Sequence, residues 1–166
     1  MNNGYVRKID ELGRIVIPKE VRQRMKIQAG ESLSISCSDN IINLSKYSDV
    51  ENNSRFVEMI GDRIHFYTNF EVIILDLENI VYSSQNLTNL KVPEFLRDYI
   101  NNRESLTLSN LTINEVEITG YICVEPIIVS SSPNGAVIMY APAEDKNLDK
   151  MAKFMASAIS IHLDVT

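Results

Sequence analysis

Arg7, Arg14 and Arg22 lie close together near the start of this 166-residue chain, with Lys8, Lys19 and Arg24 among them. A guanidinium is planar, always charged and carries a fork of donors, so it bonds a phosphate through two parallel hydrogen bonds and also fits the acceptor edge of a guanine. Gln23, between Arg22 and Arg24, can bond a base edge or a phosphate without neutralising charge. Other chemistries have less to stand on. The two cysteines, Cys37 and Cys123, are too few for a disulfide framework. Neither they nor His65 and His162 have zinc-ligand spacing. No paired-carboxylate motif, nucleophile elbow, phosphate-binding glycine loop or Cys/His pair is present, so no enzyme activity and no cofactor or metal is expected.

The formal net charge of -6 argues, taken whole, against nucleic acid as a partner. Divided along the chain it does not. Residues 1–48 hold eight Lys/Arg against five Asp/Glu, a balance of +3. The remainder holds eight against 17, a balance of -9. Such asymmetry suggests segments that meet different partners. Asp10 and Glu11 sit inside the basic segment, where they either repel a nucleic-acid backbone or pair with the arginines and orient them.

The elements that must position these cations are short. Gly4–Ile9 and Arg14–Pro18 read as two strands around a polar turn, with Gly13 at the position needing positive φ. Pro18 ends the second strand, and Val21 and Met25 set a helix of about two turns over 19–25. Ala29-Gly30-Glu31 reads as a turn. Leu33, Ile35 and Cys37 then alternate with serines, Asp39-Asn40 makes a tight turn, and Ile42 and Leu44 continue the alternation to Lys46. A β, β, short helix, β, β unit of about 50 residues encloses too little to be stable alone, so an obligate dimer is expected. The assigned domains are 1–48, a polar linker at 49–54, and 55–166.

In the last of these, Phe56, Val57, Met59, Ile60, Ile64 and, as the last of the series, Tyr67 recur at helical spacing, with Asn53 or Ser54 as the cap. Val72–Asp76 and Ile80–Tyr82 flank a turn at Leu77-Glu78-Asn79. Pro93 starts a helix reaching Ile100 that sets Phe95, Leu96 and Tyr99 on one side. Two or three strands follow. Tyr121–Val129 and Ala136–Tyr140 form a hairpin whose turn is assigned to Asn134-Gly135. A final helix over 148–163 carries Met151, Phe154, Met155, Ala158, Ile159 and His162 inward. The order predicts an α+β domain with helices on an antiparallel sheet.

The run VRKIDELGRIVIPKEVR (6–22), together with LSKY (44–47), resembles the DNA-binding domain of the AbrB-type transition-state regulators. The resemblance implies a swapped-hairpin β-barrel made by two interleaved chains, binding double-stranded DNA through Arg7, Lys8, Arg14, Lys19, Arg22, Gln23 and Arg24. The chain departs from the family in having Gln23 where a second adjacent arginine is frequent, which bears on specificity. Residues 55–166 resemble, more weakly, the GAF-like domain of the sporulation regulators in that family, on Glu125-Pro126-Ile127-Ile128 through Gly135-Ala136-Val137-Ile138 and the final helix.

That resemblance implies a cytoplasmic, nucleoid-associated regulator. It implies a homodimer through the first domain, a homotetramer through the second, and a small-molecule ligand as a further expectation. Phe56, Met59, Ile60 and Arg63 form either a contact face between copies or part of the core. Cys123 is either a small buried hydrophobe or, if exposed with a depressed pKa, an oxidant sensor. The competing function, the antitoxin half of a toxin–antitoxin pair, shares the N-terminal fold, but such proteins end in a short toxin-wrapping tail and not in a patterned domain. No apolar run is long enough to cross a bilayer, and Met1-Asn2-Asn3 leads into no apolar leader segment, so no membrane partner is expected.

Overall fold

The computed structural model describes residues 4–27, 29–30 and 32–165 and divides the chain into two compact units, 1–47 and 48–166. Glu31 and Met1-Asn2-Asn3, on which two sequence readings fall, lie outside the described residues.

In the first unit, the segment 4–17 makes a turn but no strand ladder. Gly13 N–H donates to Asp10 C=O and Asp10 N–H to Arg14 C=O, both at 3.0 Å, and Gly13 takes φ +76°. This closes a three-residue loop with glycine in the left-handed position. Beyond it the two expected strands run unpaired within a single chain. Then follow α1 (Lys19–Arg24), β1 (Leu33–Ser38) and β2 (Ile41–Lys46). α1 starts behind Pro18 and ends at Arg24; just beyond it Lys26 takes a φ of +52°, which lets Ile27 N–H reach Arg22 C=O at 2.8 Å. β1 and β2 pair antiparallel from Leu33↔Lys46 to Ser38↔Ile41 across Asp39-Asn40. No described residue of 4–47 is buried: Val6 is 89% and Val16 73% exposed, and Ile9, Leu12, Ile35 and Ile42 are also bare. Of the face of β1 expected to be covered, Leu33 is half-buried and Ile35 and Cys37 are exposed in a single chain.

The segment 49–54, read from its polarity as a linker, is helical. Ser48 Oγ accepts from Glu51 N–H at 3.0 Å and caps α2 (Asp49–Asn52), which drives Val50 into the core; α3 (Ser54–Thr68) follows directly. The polar residues face water, and one valine was too little periodicity to reveal the turn.

The second unit continues with β3 (Glu71–Leu75), β4 (Ile80–Ser83), α4 (Glu94–Asn101), β5 (Leu106–Ile113), β6 (Val116–Val129), β7 (Ser132–Ala141) and α5 (Lys146–Asp164). The five strands form one antiparallel sheet in the order β4-β3-β7-β6-β5. Alternation splits the core in two. Val72, Ile74, Val137, Met139, Cys123 and Ile127 face α3 and α5, while Ile73, Leu75, Ile138, Ile122 and Val124 face α4 and the segment after β4. Each of Val72 to Leu75 is fully buried, as a central strand covered on both sides requires. This is the α+β arrangement expected, an antiparallel sheet with helices, here on both of its faces.

The β6–β7 hairpin is present, but its turn is at Ser130-Ser131, with φ of +47° and +65°, and not at Asn134-Gly135. Two consecutive positive φ values make the tight hairpin turn that matches strand twist, here without glycine. Gly135 lies inside β7 for another reason: a Cβ there would sit 2.1 Å from Leu75 C=O on the neighbouring strand. Pro126 is tolerated in β6 because β5 pairs only as far as Val124, so its absent N–H interrupts no ladder on that side.

On α5 the buried residues are Leu148, Ala152, Met155, Ala156, Ile159 and Leu163, while Phe154, assigned inward, is 62% exposed. On α4, Leu96 and Ile100 are buried and Phe95 and Tyr99 are the outer pair.

Candidate nucleic-acid interface

In the 10–14 turn, Asp10 Oδ1 accepts from Leu12 N–H at 3.0 Å and from Arg14 N–H at 2.8 Å, and Oδ2 accepts from Arg14 Nε at 2.8 Å. The choice left open by the sequence is settled within the chain: Asp10 pairs with Arg14. Accepting the Arg14 backbone N–H and then its side chain holds the Asp10 carboxyl below the usual carboxylate range. The Arg14 side chain stays 71% exposed. Arg7 Nη1 donates to Val6 C=O at 2.9 Å, with the guanidinium carbon 5.9 Å from the Tyr5 ring centre, in cation–π range. Lys8 is exposed.

Six residues suffice for α1 to gather a second group. Lys19, Arg22 and Gln23 fall at i, i+3 and i+4, one face of α1, and with Lys26 and Ile27 just beyond its end they line an open depression of about 420 Å³. Lys26 was not among the candidates, since it lies past the helix end in a left-handed turn, where helical spacing assigns no face. Arg24 is exposed but does not line the depression. Of the seven sequence candidates, then, Lys19, Arg22 and Gln23 are brought together, and Arg14 is held by the turn.

The second unit offers different chemistry. Cys123 is buried and its thiol donates to Asp149 Oδ1, while Asp149 Oδ2 accepts from Tyr121 Oη at 3.2 Å. Burial, then the Asp149 carboxylate, push the thiol up to about 12, which makes Cys123 the inert hydrophobe of the two readings. His162 stacks on Phe56, centroids 3.7 Å apart and 16° between planes. His65 Nδ1 lies 2.8 Å from Phe70 C=O at the end of α3. The stripe on α3 divides: Phe56 and Ile60 pack on the core, while Met59 and Arg63 face outward with Phe66 and Tyr67. Among the described residues no group of three His, Cys, Asp or Glu is placed to hold a metal, and no helix is long and apolar enough to cross a membrane.

Residues 6–49 match the family model described as "Antidote-toxin recognition MazE, bacterial antitoxin". The chain is 29% identical to stage V sporulation protein T of Bacillus subtilis over 92% of its own length and 95% of that protein. It is 48% identical to the transition state regulatory protein AbrB of the same organism over 28% of its length, covering 48% of AbrB. Among solved structures, the cyanobacteriochrome receptor PixJ aligns with a TM-score of 0.55 at 13% identity, over 70% of this chain and 98% of that one, a likeness of fold.

Proposed function

We propose, from the premise that residues 6–49 form a MazE/AbrB-type domain in a chain similar along most of its length to stage V sporulation protein T, that the protein is a sequence-dependent DNA-binding transcription regulator. Its targets are sporulation genes, and it acts in the cytoplasm, associated with the nucleoid, as a regulator and not as an enzyme. DNA is held by Arg7, Lys8, Arg14, Lys19, Arg22, Gln23 and Arg24. The observation that carries this reading is the gathering of Lys19, Arg22 and Gln23 of α1, with Lys26 just beyond its end, around one depression, in a unit whose turn presents an exposed, oriented Arg14. Cations arranged for phosphates and base edges sit on the one unit of an acidic protein that carries net positive charge.

The protein acts as a symmetric homodimer through its first unit. A segment that leaves Val6, Ile9, Val16, Ile35 and Ile42 in water has its core completed by a second copy. The outward residues of α3, Met59, Phe66 and Tyr67, support pairing of the second units into a tetramer. Joining two DNA heads in this way raises apparent affinity by effective concentration. The second unit is the place where a small molecule would act on the assembly. The antitoxin reading draws on the description of the family model; the folded α+β unit that follows, in place of a toxin-wrapping tail, favours the regulator.

The test is the full chain with Arg7, Arg14 and Arg22 replaced together by Ala, measured against a duplex selected by the wild-type chain from a random pool. All three side chains are exposed, so the melting curve should not move. Affinity should fall roughly a hundredfold or more, from the loss of three charge-assisted contacts per chain. Unchanged binding refutes the assignment.

A further inference from the structure

The three bonds of Asp10 do two separable jobs. Oδ1 alone closes the loop through Leu12 N–H and Arg14 N–H, as an asparagine oxygen would. Oδ2 is bonded to Arg14 Nε. Engaging Nε fixes the plane of the guanidinium and leaves its two terminal nitrogens as the exposed edge; among the described residues neither has a protein acceptor. Arg14 is therefore a charge already paired, with a carboxylate directly behind a two-pronged donor edge.

Such a pair discriminates between the two things an arginine can bind on DNA. Against a phosphate, the carboxylate repels the new anion from a few ångströms away and cancels much of the guanidinium's attraction. Against the O6 and N7 acceptors of a guanine, which carry no formal charge, that repulsion is absent and the planar fork matches both atoms. The cations of α1 have no such carboxylate bonded to Arg22 or Lys19 among the described residues, and they suit phosphates. Resting on the DNA-binding reading above, we propose that Asp10 is a positioning residue that aims Arg14 at a base edge in the major groove, so that the Asp10–Arg14 pair sets sequence specificity while Lys19 and Arg22 supply sequence-independent affinity.

Two variants of the full chain test this by fluorescence anisotropy, against the pool-selected duplex and a scrambled duplex of equal composition, over a range of salt. D10N keeps an oxygen for the loop and removes the charge that directs Nε. R14K keeps the charge and removes the fork. Both should lower the ratio of selected to scrambled affinity about tenfold, the loss of one bidentate base contact. Scrambled-duplex affinity should hold for R14K and hold or rise for D10N, and the salt slope of R14K should match the wild type. A purely structural role for Asp10 would instead weaken both duplexes together and lower the melting temperature. That result, or an unchanged affinity ratio in both variants, or a salt slope of R14K that departs from the wild type, overturns the inference and leaves the DNA-binding reading intact. Wild-type protein that binds neither duplex refutes that reading, and the inference with it.

Discussion

Val16→Asp separates a core that belongs to one chain from a core that two chains share. In the single chain Val16 is 73% exposed, on a segment none of whose described residues is buried. As a surface substitution it should change the stability of the isolated fold by no more than about 0.5 kcal/mol. In a dimer that covers this surface the same side chain is removed from water. Fully burying a valine contributes about 1.5 kcal/mol, and since it starts three-quarters exposed the gain is about 1 kcal/mol per chain, or about 2 kcal/mol across the two-fold. Aspartate forfeits that and adds an unpaired carboxylate at each of two sites, at a further few kcal/mol. The dimer constant should weaken by at least about a thousandfold. Sedimentation velocity at micromolar concentration reads the outcome as a halving of mass, tetramer to dimer if the second units also pair and dimer to monomer if they do not. Circular dichroism should meanwhile show the second unit unchanged. An unaltered sedimentation coefficient with intact secondary structure would refute the reasoning, because the bare apolar face would then not be an interface.

Gly135→Ala should destabilise the second unit by about 2–4 kcal/mol, because the added methyl would meet the Leu75 carbonyl, which is backbone and has little freedom to withdraw; chemical denaturation read by tryptophan-free tyrosine fluorescence checks it. Asp76→Ala should cost about 1–3 kcal/mol, since the buried Asp76 Oδ1 accepts from both Glu78 N–H and Asn79 N–H at 2.7 Å in the β3–β4 turn, while Asp76→Asn should recover much of the loss. With Cys37 replaced by Ser, the Cys123 thiol, pushed up to about 12 by burial and by Asp149, should resist alkylation in the native state and react on unfolding. The same shift has a sign: the folded state holds this proton more tightly than the unfolded chain, so the contribution is complete below about pH 9 and is lost as pH rises towards 12.

Lys19, Arg22 and Gln23 were legible as one group because their spacing is local, i, i+3 and i+4 on one short helix, and Gly13 marks its turn by conformation alone. Asp10 was legible as a question and not as an answer, since whether its carboxylate meets Arg14 depends on loop geometry. In the second unit the central strands announced themselves as unbroken apolar runs. β5 did not, because an edge strand covered on one face, Leu106-Thr107-Leu108-Ser109-Asn110-Leu111-Thr112-Ile113, carries weak alternation and a register shift between Leu108 and Asn110. The hairpin turn lies four residues before the dipeptide expected: Ser130 to Gly135 offers several turn-formers, and close packing of Gly135 on Leu75, a contact between distant segments, decides which dipeptide turns. Phe154 was assigned inward on hydrophobicity, yet the face that α5 buries is set by Leu148, Ala152, Met155 and Ile159, and Phe154 falls outside it.

The central claim is that a chain of net charge -6 binds DNA through the +3 balance of its first 48 residues. The affinity of the full-length protein for the pool-selected duplex as a function of salt tests it most directly. With roughly six to eight phosphates neutralised per dimer, log K should fall linearly with log salt at a slope of about -5 to -7. Affinity that stays flat across that range would contradict the account.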